Sequence, residues 1–266
     1  MDHSAIREQL PKLVSGYVPG NVRTIKYRIF DGCPQESMLG FHVDPEPFEG
    51  TVIAKTDHAI VVKTGRAAFA VLDRGLVTED PGEGAKVLVT PYARRRFDGL
   101  RADTLDERTE TTPDGKSYVV RTHILGSAPA KLPIPEPRCP ELRDLVEQLE
   151  QLPAPDGFRR ITHLLVDAGA RDFTWVDPSP DKIIETPPAI SFIVATLKFE
   201  GRVTLLYDRG GDVYAVELHH GDELVQRRAD VYFDDLGKVL AQLIDDGRWQ
   251  QIQVEVLSNG RRPTRH

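Results

Sequence analysis

Cysteine, methionine and tryptophan occur only twice each in 266 residues. Cys33 and Cys139 are far apart and have no partner at a redox or zinc spacing, which excludes a disulfide framework and a structural zinc site of the usual kind. Two unlinked thiols fit a reducing compartment, and a cytoplasmic protein is expected. No apolar run approaches the roughly 18–20 residues of a membrane span. The longest, Ala189–Leu197, is strand-sized. The opening MDHSAIREQLPKLV has no basic start followed by an apolar run, so no secretory signal is expected.

Reaction motifs are equally scarce. The eight histidines form no HExxH, no His-x-His and no His–Cys cluster. No GxSxG elbow places a serine beside a base. Pro81-Gly-Glu-Gly-Ala-Lys86 resembles a phosphate loop in outline, but lacks the Gly-Lys-Ser/Thr triplet and leads into a strand. No cofactor and no metal are expected, and the balance leans against an enzyme.

What is present is a globular composition, with 40% apolar and 28% charged residues. The net charge of −7 is uneven: residues 1–138 hold 19 basic and 19 acidic residues, residues 139–266 hold 15 and 22. The second half therefore repels a polyanion on average. Residues 2–14 read as a short helix capped by Ser4 and cut short by Pro11. Short strands then recur between turn signals: 24–30, 52–53, 59–63, 67–72, 85–90 and 118–125, the last after the turn Thr112-Pro-Asp-Gly-Lys116. Residues 31–49 read as a long loop. Ser127–Pro140 holds five prolines in fourteen residues and reads as an extended linker, or else as a strap across a single body. Beyond it, apolar residues at helical spacing mark helices at 140–152 and 158–169. Strands are expected at 173–176, 189–199, 202–207, 213–218 and 223–227. A helix capped by Asp234 or Asp235 follows, and Gln250–Leu257 alternates as a final half-buried strand.

The expected fold class is α+β, with an N-terminal small β-barrel-like domain and a C-terminal antiparallel sheet with helices on one face. The domains are 1–126, a β-rich unit with an irregular N-terminal arm; 127–139, the Pro-rich linker; 140–260, an acidic α+β domain; and 261–266, a basic tail.

Two groups of side chains are candidate sites. Arg66 sits at a hairpin tip in VVKTGRAAFAV, and Arg94, Arg95, Arg96 and Arg101 form a basic run flanked by Tyr92 and Phe97. Guanidinium forks bind phosphates and aromatic rings stack on bases, but Asp98, Asp103, Asp106 and Glu107 follow closely enough to neutralise the run. Asp172, Asp177, Asp181 and Glu185, with Asp230 and Asp234, supply carboxylates that could hold a divalent cation or act as acid and base. Capping is the simpler use of Asp234 and Asp235. Arg138 beside Cys139 is a candidate for lowering its thiol pKa.

The stretch TVIAKTDHAIVVKTGRAAFAVLDRGLV followed by PGEGAKVLV resembles the small KfrB-type domain of plasmid and conjugative-element accessory proteins. The shared features are a Thr-Asp-His turn, a Thr-Gly-Arg hairpin, an Asp-Arg corner before Leu76 and a Pro-Gly turn into a strand. They cover about residues 50–90, and the resemblance ends after Val89. It implies a mobile-element context and a compact barrel-like unit, and carries over no catalytic residue. The expected function is a non-enzymatic binding or accessory protein acting on an unknown protein partner. The alternatives are a nucleic-acid binder using the basic 92–101 loop and a carboxylate-dependent hydrolase or nuclease. No membrane partner is expected, and a second copy of the chain is left open.

Overall fold

The computed structural model describes residues 1–122, 128–179 and 181–260. In chain order the elements are α1 (His3–Val14), β1 (Lys26–Phe30), β2 (Gln35–Glu36), β3 (His42–Val43), β4 (Phe48–Lys55), β5 (Ala59–Lys63), β6 (Ala68–Asp73), β7 (Lys86–Thr90), β8 (Asp106–Thr111), β9 (Ser117–Thr122), α2 (Pro140–Gln151), α3 (Ile161–Asp167), β10 (Arg171–Val176), β11 (Ala189–Ala195), β12 (Glu200–Asp208), β13 (Val213–His220), β14 (Glu223–Val231), α4 (Leu236–Ile244) and β15 (Gln253–Ser258). The protein is α+β and mostly sheet. Among the described residues no helix is long and apolar enough to cross a membrane. The chain divides into two compact units: Met1–Gln35, Asp44–Ala93 and the described chain from Arg248 onward form the first, and Glu36–Val43 with Arg94–Gly247 form the second.

The first unit is built on a six-stranded sheet in the order β1-β6-β5-β4-β7-β15. Its central strands β5 and β6 are apolar on both faces, and alternation sorts the side chains. Ile60 and Val62 of β5 join Phe30, Val52, Leu72, Val87 and Val254 in one core. Ala59 and Val61 join Phe69 and Val71 in the other, under Leu10 and Val14 of α1. The order has two ends, and no pairing of β1 with β15 closes a barrel among the described residues. Thr64 and Gly65 both donate backbone N–H to the Ala68 carbonyl, at 2.9 and 3.3 Å, so the Thr-Gly-Arg stretch is the bend of the β5–β6 hairpin. Gly65 does not adopt the positive φ that such a bend often needs. Gly50 of β4 has a different reason to lack a side chain: a Cβ there would stand 2.5 Å from Val62 Cγ1 and 2.6 Å from the Lys63 carbonyl.

Three expectations fail in this unit. The cap of α1 is Asp2, whose Oδ1 accepts from Ser4 N at 2.9 Å and Ala5 N at 3.2 Å. Pro11 lies inside α1 rather than ending it. It removes one donor from the helix ladder, and the last turn stays anchored by the fully buried Leu10 and Val14. The final strand, expected in the second domain, pairs antiparallel with β7 in the first sheet, from Gln253↔Thr90 to Ser258↔Lys86. Alternation identifies a half-buried strand, but not which sheet receives it.

The second unit has a five-stranded antiparallel sheet, β10-β11-β12-β13-β14. One face carries Ile190, Phe192, Val203, Leu205, Val216 and Leu218, packed with Leu142, Leu145 and Leu149 of α2, Leu164 and Leu165 of α3 and Leu240 and Ile244 of α4. Across the other face runs the register row Thr174–Ser191–Thr204–Glu217–Arg227. Ser191 and Thr204 hydroxyls meet at 2.9 Å, and Arg227 donates to Glu217 at 3.0 Å. A polar row on one face and an apolar one on the other are what a two-layer α/β stack requires. The described part of the proline-rich segment lies in this unit as a strap, not as a link between bodies. Ala130 and Leu132 are buried, and Glu150 of α2 accepts from Leu132 N at 3.0 Å and from Lys131 Nζ at 2.6 Å. Proline excludes helix and ladder bonds but not burial, so composition alone reads as linker. The acidic insert after Arg101 forms a hairpin, β8 with β9, around the 112–116 turn with Gly115 at φ +83°. Ser127, residues 123–125 of the expected strand and the 261–266 tail lie outside the described residues.

Because Val254 is 4% exposed in the first core, Val254→Asp places an unpartnered charge there. Urea denaturation should show a loss of about 3 kcal/mol or more. Glu255→Ala, on the exposed face of the same strand, should stay within about 0.5 kcal/mol.

Candidate functional site

In the second unit Arg94, Arg159 and Arg160 gather around the turn that precedes α3. A tight turn, Ala154-Pro-Asp-Gly157, precedes α3, with Gly157 at φ +70° and its N–H donating to the Ala154 carbonyl at 3.1 Å. Asp156 caps this turn, its Oδ1 accepting from Phe158 N at 2.9 Å and Arg159 N at 2.7 Å. The turn thereby delivers Phe158, Arg159 and Arg160 in succession to the start of α3.

Arg159 points inward and is 2% exposed. Its guanidinium donates to Asp156 at 3.0 Å, to Asp167 at 2.8 Å and to Asp245. Burial alone would lower its pKa, but the Asp167, Asp156 and Asp245 carboxylates reverse that and raise it, so the group is permanently charged. Arg94 is 1% exposed and lies 4.2 Å over the Phe158 ring. It donates to the Phe158 carbonyl at 3.2 Å and, more weakly, to the His42 carbonyl at 3.5 Å. Arg160 is half-buried and donates to the Gln151 side-chain oxygen at 3.1 Å and to the Gln151 carbonyl. Burial and then the Arg94 charge lower its pKa. Below them His163, fully buried in α3, accepts at Nδ1 from Arg160 N at 3.1 Å. Burial, helped by Arg94, Arg160 and Arg159 and opposed only by the Ala128 backbone, brings its pKa down to about 4. The imidazole is neutral at ordinary pH, and the positive charge of the cluster belongs to its arginines.

The residues expected to form an exposed basic site are dispersed into internal contacts. Arg66 donates to Asn21 at 3.0 Å in the first unit. Residues 94–102 close on themselves as a small turn: Arg96 N donates to the Leu100 carbonyl at 2.8 Å and Arg95 Nη1 to the Gly99 carbonyl at 2.9 Å. Arg96 pairs with Asp106 at 2.9 Å and Asp98 at 3.4 Å. Arg101 grips Asp103 with two bonds, 2.9 and 2.7 Å, and holds that carboxyl below its ordinary range. Arg94 is in the interior. A phosphate backbone would have to displace these partners one by one.

The carboxylates are likewise spent locally. Asp177 accepts from Cys139 N at 2.8 Å and Arg138 N at 3.1 Å, the two residues that lead into α2. Burial would raise its pKa; these bonds and the Arg138 guanidinium hold it low instead. Asp181 is lowered by a bond from Ser179. Asp172 and Asp230 occupy positive-φ positions, both at 55°, where aspartate is tolerated better than most residues. Glu185 and Asp234 are exposed. Asp235 occupies the N-cap of α4 but makes no side-chain cap bond, because the 3₁₀ turn Phe233–Asp235 leads into the helix instead. Among the described residues no three His, Cys, Asp or Glu side chains are grouped to hold a metal ion. Cys139 is not activated: burial raises its pKa, and its thiol donates to Glu141 at 3.2 Å. His219 and His220 make separate contacts, His219 with Glu217 at 3.1 Å and His220 with the Phe199 ring at 5.1 Å.

Phe158, Arg159 and Arg160 were not singled out from the sequence. Two successive arginines at a helix start, with Asp156 and Asp167 close by, were a usable signal; the third carboxylate, Asp245, is not, since it lies 86 positions away. Comparison with protein-family models, with curated proteins and with solved structures returns no match.

His163 sets a pH dependence. Its folded pKa of about 4 lies below the ordinary 6.5. Its contribution to stability is therefore complete above pH 6.5, falls as the unfolded imidazole takes a proton the native one refuses, and is gone below about 4. Unfolding free energies measured from pH 7 to pH 4 should fall by about 3 kcal/mol more for the native chain than for His163→Gln. Parallel curves would contradict it.

Proposed function

We propose that the chain is a non-enzymatic binding protein that works through protein contacts, as an accessory factor of a mobile genetic element in the cytoplasm. The observation that carries this reading is the loop between β2 and β3. Ser37 organises it, its hydroxyl accepting from Leu39 N at 3.3 Å and Phe41 N at 3.1 Å. The effect is to hold apolar side chains in water: Met38 is 105% exposed, Leu39 78% and Phe41 42%. A loop held rigid by its own hydrogen bonds, yet tipped with methionine, leucine and phenylalanine, has the make-up of a contact surface. Each such side chain gains about 1.5–3 kcal/mol on full burial.

The other two readings have less to support them. A nucleic-acid binder acting through residues 92–101 needs arginines that reach outward, and Arg95, Arg96 and Arg101 are committed to neighbouring carbonyls and carboxylates. A carboxylate-dependent hydrolase needs convergent acids, and Asp177 is occupied by backbone donors. The resemblance at residues 50–90 supports the mobile-element context and the reading of the first unit as a small barrel-like, KfrB-type body.

Affinity capture with the full chain as bait tests the proposal. It should recover one protein at fixed stoichiometry, retained as salt is raised because apolar contact is not screened, and Met38→Ser with Leu39→Ser should release it. Retention by the double variant, or capture of DNA that weakens steeply with salt, would contradict it.

A further inference from the structure

In the first unit two chain corners stand side by side. Thr56-Asp57-His58 turns β4 into β5, with the Thr56 hydroxyl accepting from Ala59 N at 2.9 Å. Asp73-Arg74-Gly75 leaves β6, and Arg74 ties the two together: its N donates to the His58 carbonyl at 3.0 Å and its Nη1 to the Thr56 carbonyl at 3.2 Å. Between these corners and α1 is a concavity of about 480 Å³, wholly within the first unit. Ile6, Leu10 and Leu13 of α1 line it with Val61 and Val71 of the sheet, and Asp2, Asp57 and Asp73 supply its charge. We propose that it binds a small organic ammonium ion, with the cationic head against Asp57 and Asp73 and an aliphatic body against the apolar wall.

The balance of charge in the wall carries the first half of this. Three aspartates contribute to the lining, and no lysine or arginine side chain does. The bases of the two corners are turned to a different acid: Arg74 grips Asp80 with bonds of 3.2 and 2.6 Å, and Lys55 pairs with it at 2.6 Å. Asp57 is exposed and, among the described residues, acts on Arg74 through charge alone. Asp73 gives Oδ1 to Gly75 N at 2.9 Å, while its Oδ2 stands 3.9 Å from the Met1 ammonium, beyond hydrogen-bond reach. Asp2 Oδ1 is taken by the cap of α1. Each carboxylate can accept several bonds, so Asp57 and Asp73 keep acceptor sites for a ligand. Like charges on a partly desolvated wall repel one another, and a cation between them removes that cost. An ammonium head is a compact charge with three donors, suited to two carboxylates that approach from different corners.

The apolar wall defines the rest of the ligand. Leu10, Val61 and Val71 are each 1% exposed and form a closed floor. Ile6 and Leu13 are left half-buried by the packing of α1, so they keep apolar surface for a ligand to cover. A hydrated metal ion gains nothing from such a wall, and a plain hydrocarbon leaves the aspartates unmet. The volume lies within the range of small-molecule pockets, about 300–1,000 Å³, and exceeds what a bare ammonium ion fills.

The test titrates the full chain with cyclohexylmethylamine, cyclohexylmethanol, cyclohexanecarboxylate and methylammonium, read by thermal shift and by ligand saturation-transfer NMR. The ring amine should saturate and raise the melting temperature by a few degrees. The alcohol and methylammonium should each bind about tenfold more weakly or worse, and the carboxylate not at all. Asp57→Asn, at an exposed turn position, should weaken the ring amine about tenfold. Ala5→Leu, on the stretch of α1 that lines the concavity, keeps every charge and fills the space, and should abolish binding. No saturable binding of the ring amine, an equal response to the alcohol, or indifference to either variant overturns the proposal.

Discussion

One buried guanidinium organises the second unit. Arg159 is held by carboxylates from the turn before α3, from the last residue of α3 and from the residue after α4. Asp167 and Asp245 stand at helix C-termini, where the backbone dipole disfavours negative charge. Without the guanidinium they would be a liability; with it they fix where both helices end. The same turn that buries Arg159 also sets Phe158 under Arg94 and places Arg160 beside Gln151.

A division of labour among the arginines follows. Those in the sequence's most basic run are tied down by near neighbours: Arg96 to Asp106 and Asp98, Arg101 to Asp103. Local neutralisation of this kind leaves a surface with little reach for a polyanion. Apolar contact surface is concentrated separately, at Met38 and Leu39.

How much of this the sequence discloses depends on range. Elements defined by short-range pattern are legible: the 112–116 turn, the strand at 59–63, and the stripes of α2 and α4 lie where the pattern puts them, and the strand expected at 189–199 forms over its first part, 189–195. What depends on distant partners is not. Alternation in 253–258 does not reveal that its neighbour is β7. Proline density in 128–139 does not reveal that Leu132 is core and Glu150 its anchor. The site shows the same limit. The carboxylates after Arg101 announce the neutralisation of the basic loop, because its partners lie within ten positions. Arg94 gives no such sign, and Arg159 only half of one: Asp156 and Asp167 are near it in sequence, but Asp245 and the Phe158 carbonyl that Arg94 meets come from segments dozens of residues away.

The central claim is that the Arg159 cluster, rather than local helix preference, fixes the walls of the second unit. It is tested most directly by amide hydrogen exchange on the native chain and on Arg159→Met. The account predicts that protection falls across 153–168 and 236–247, while β4, β5 and β6 of the first unit keep theirs. Unchanged protection in both helices, with the guanidinium removed, would contradict it.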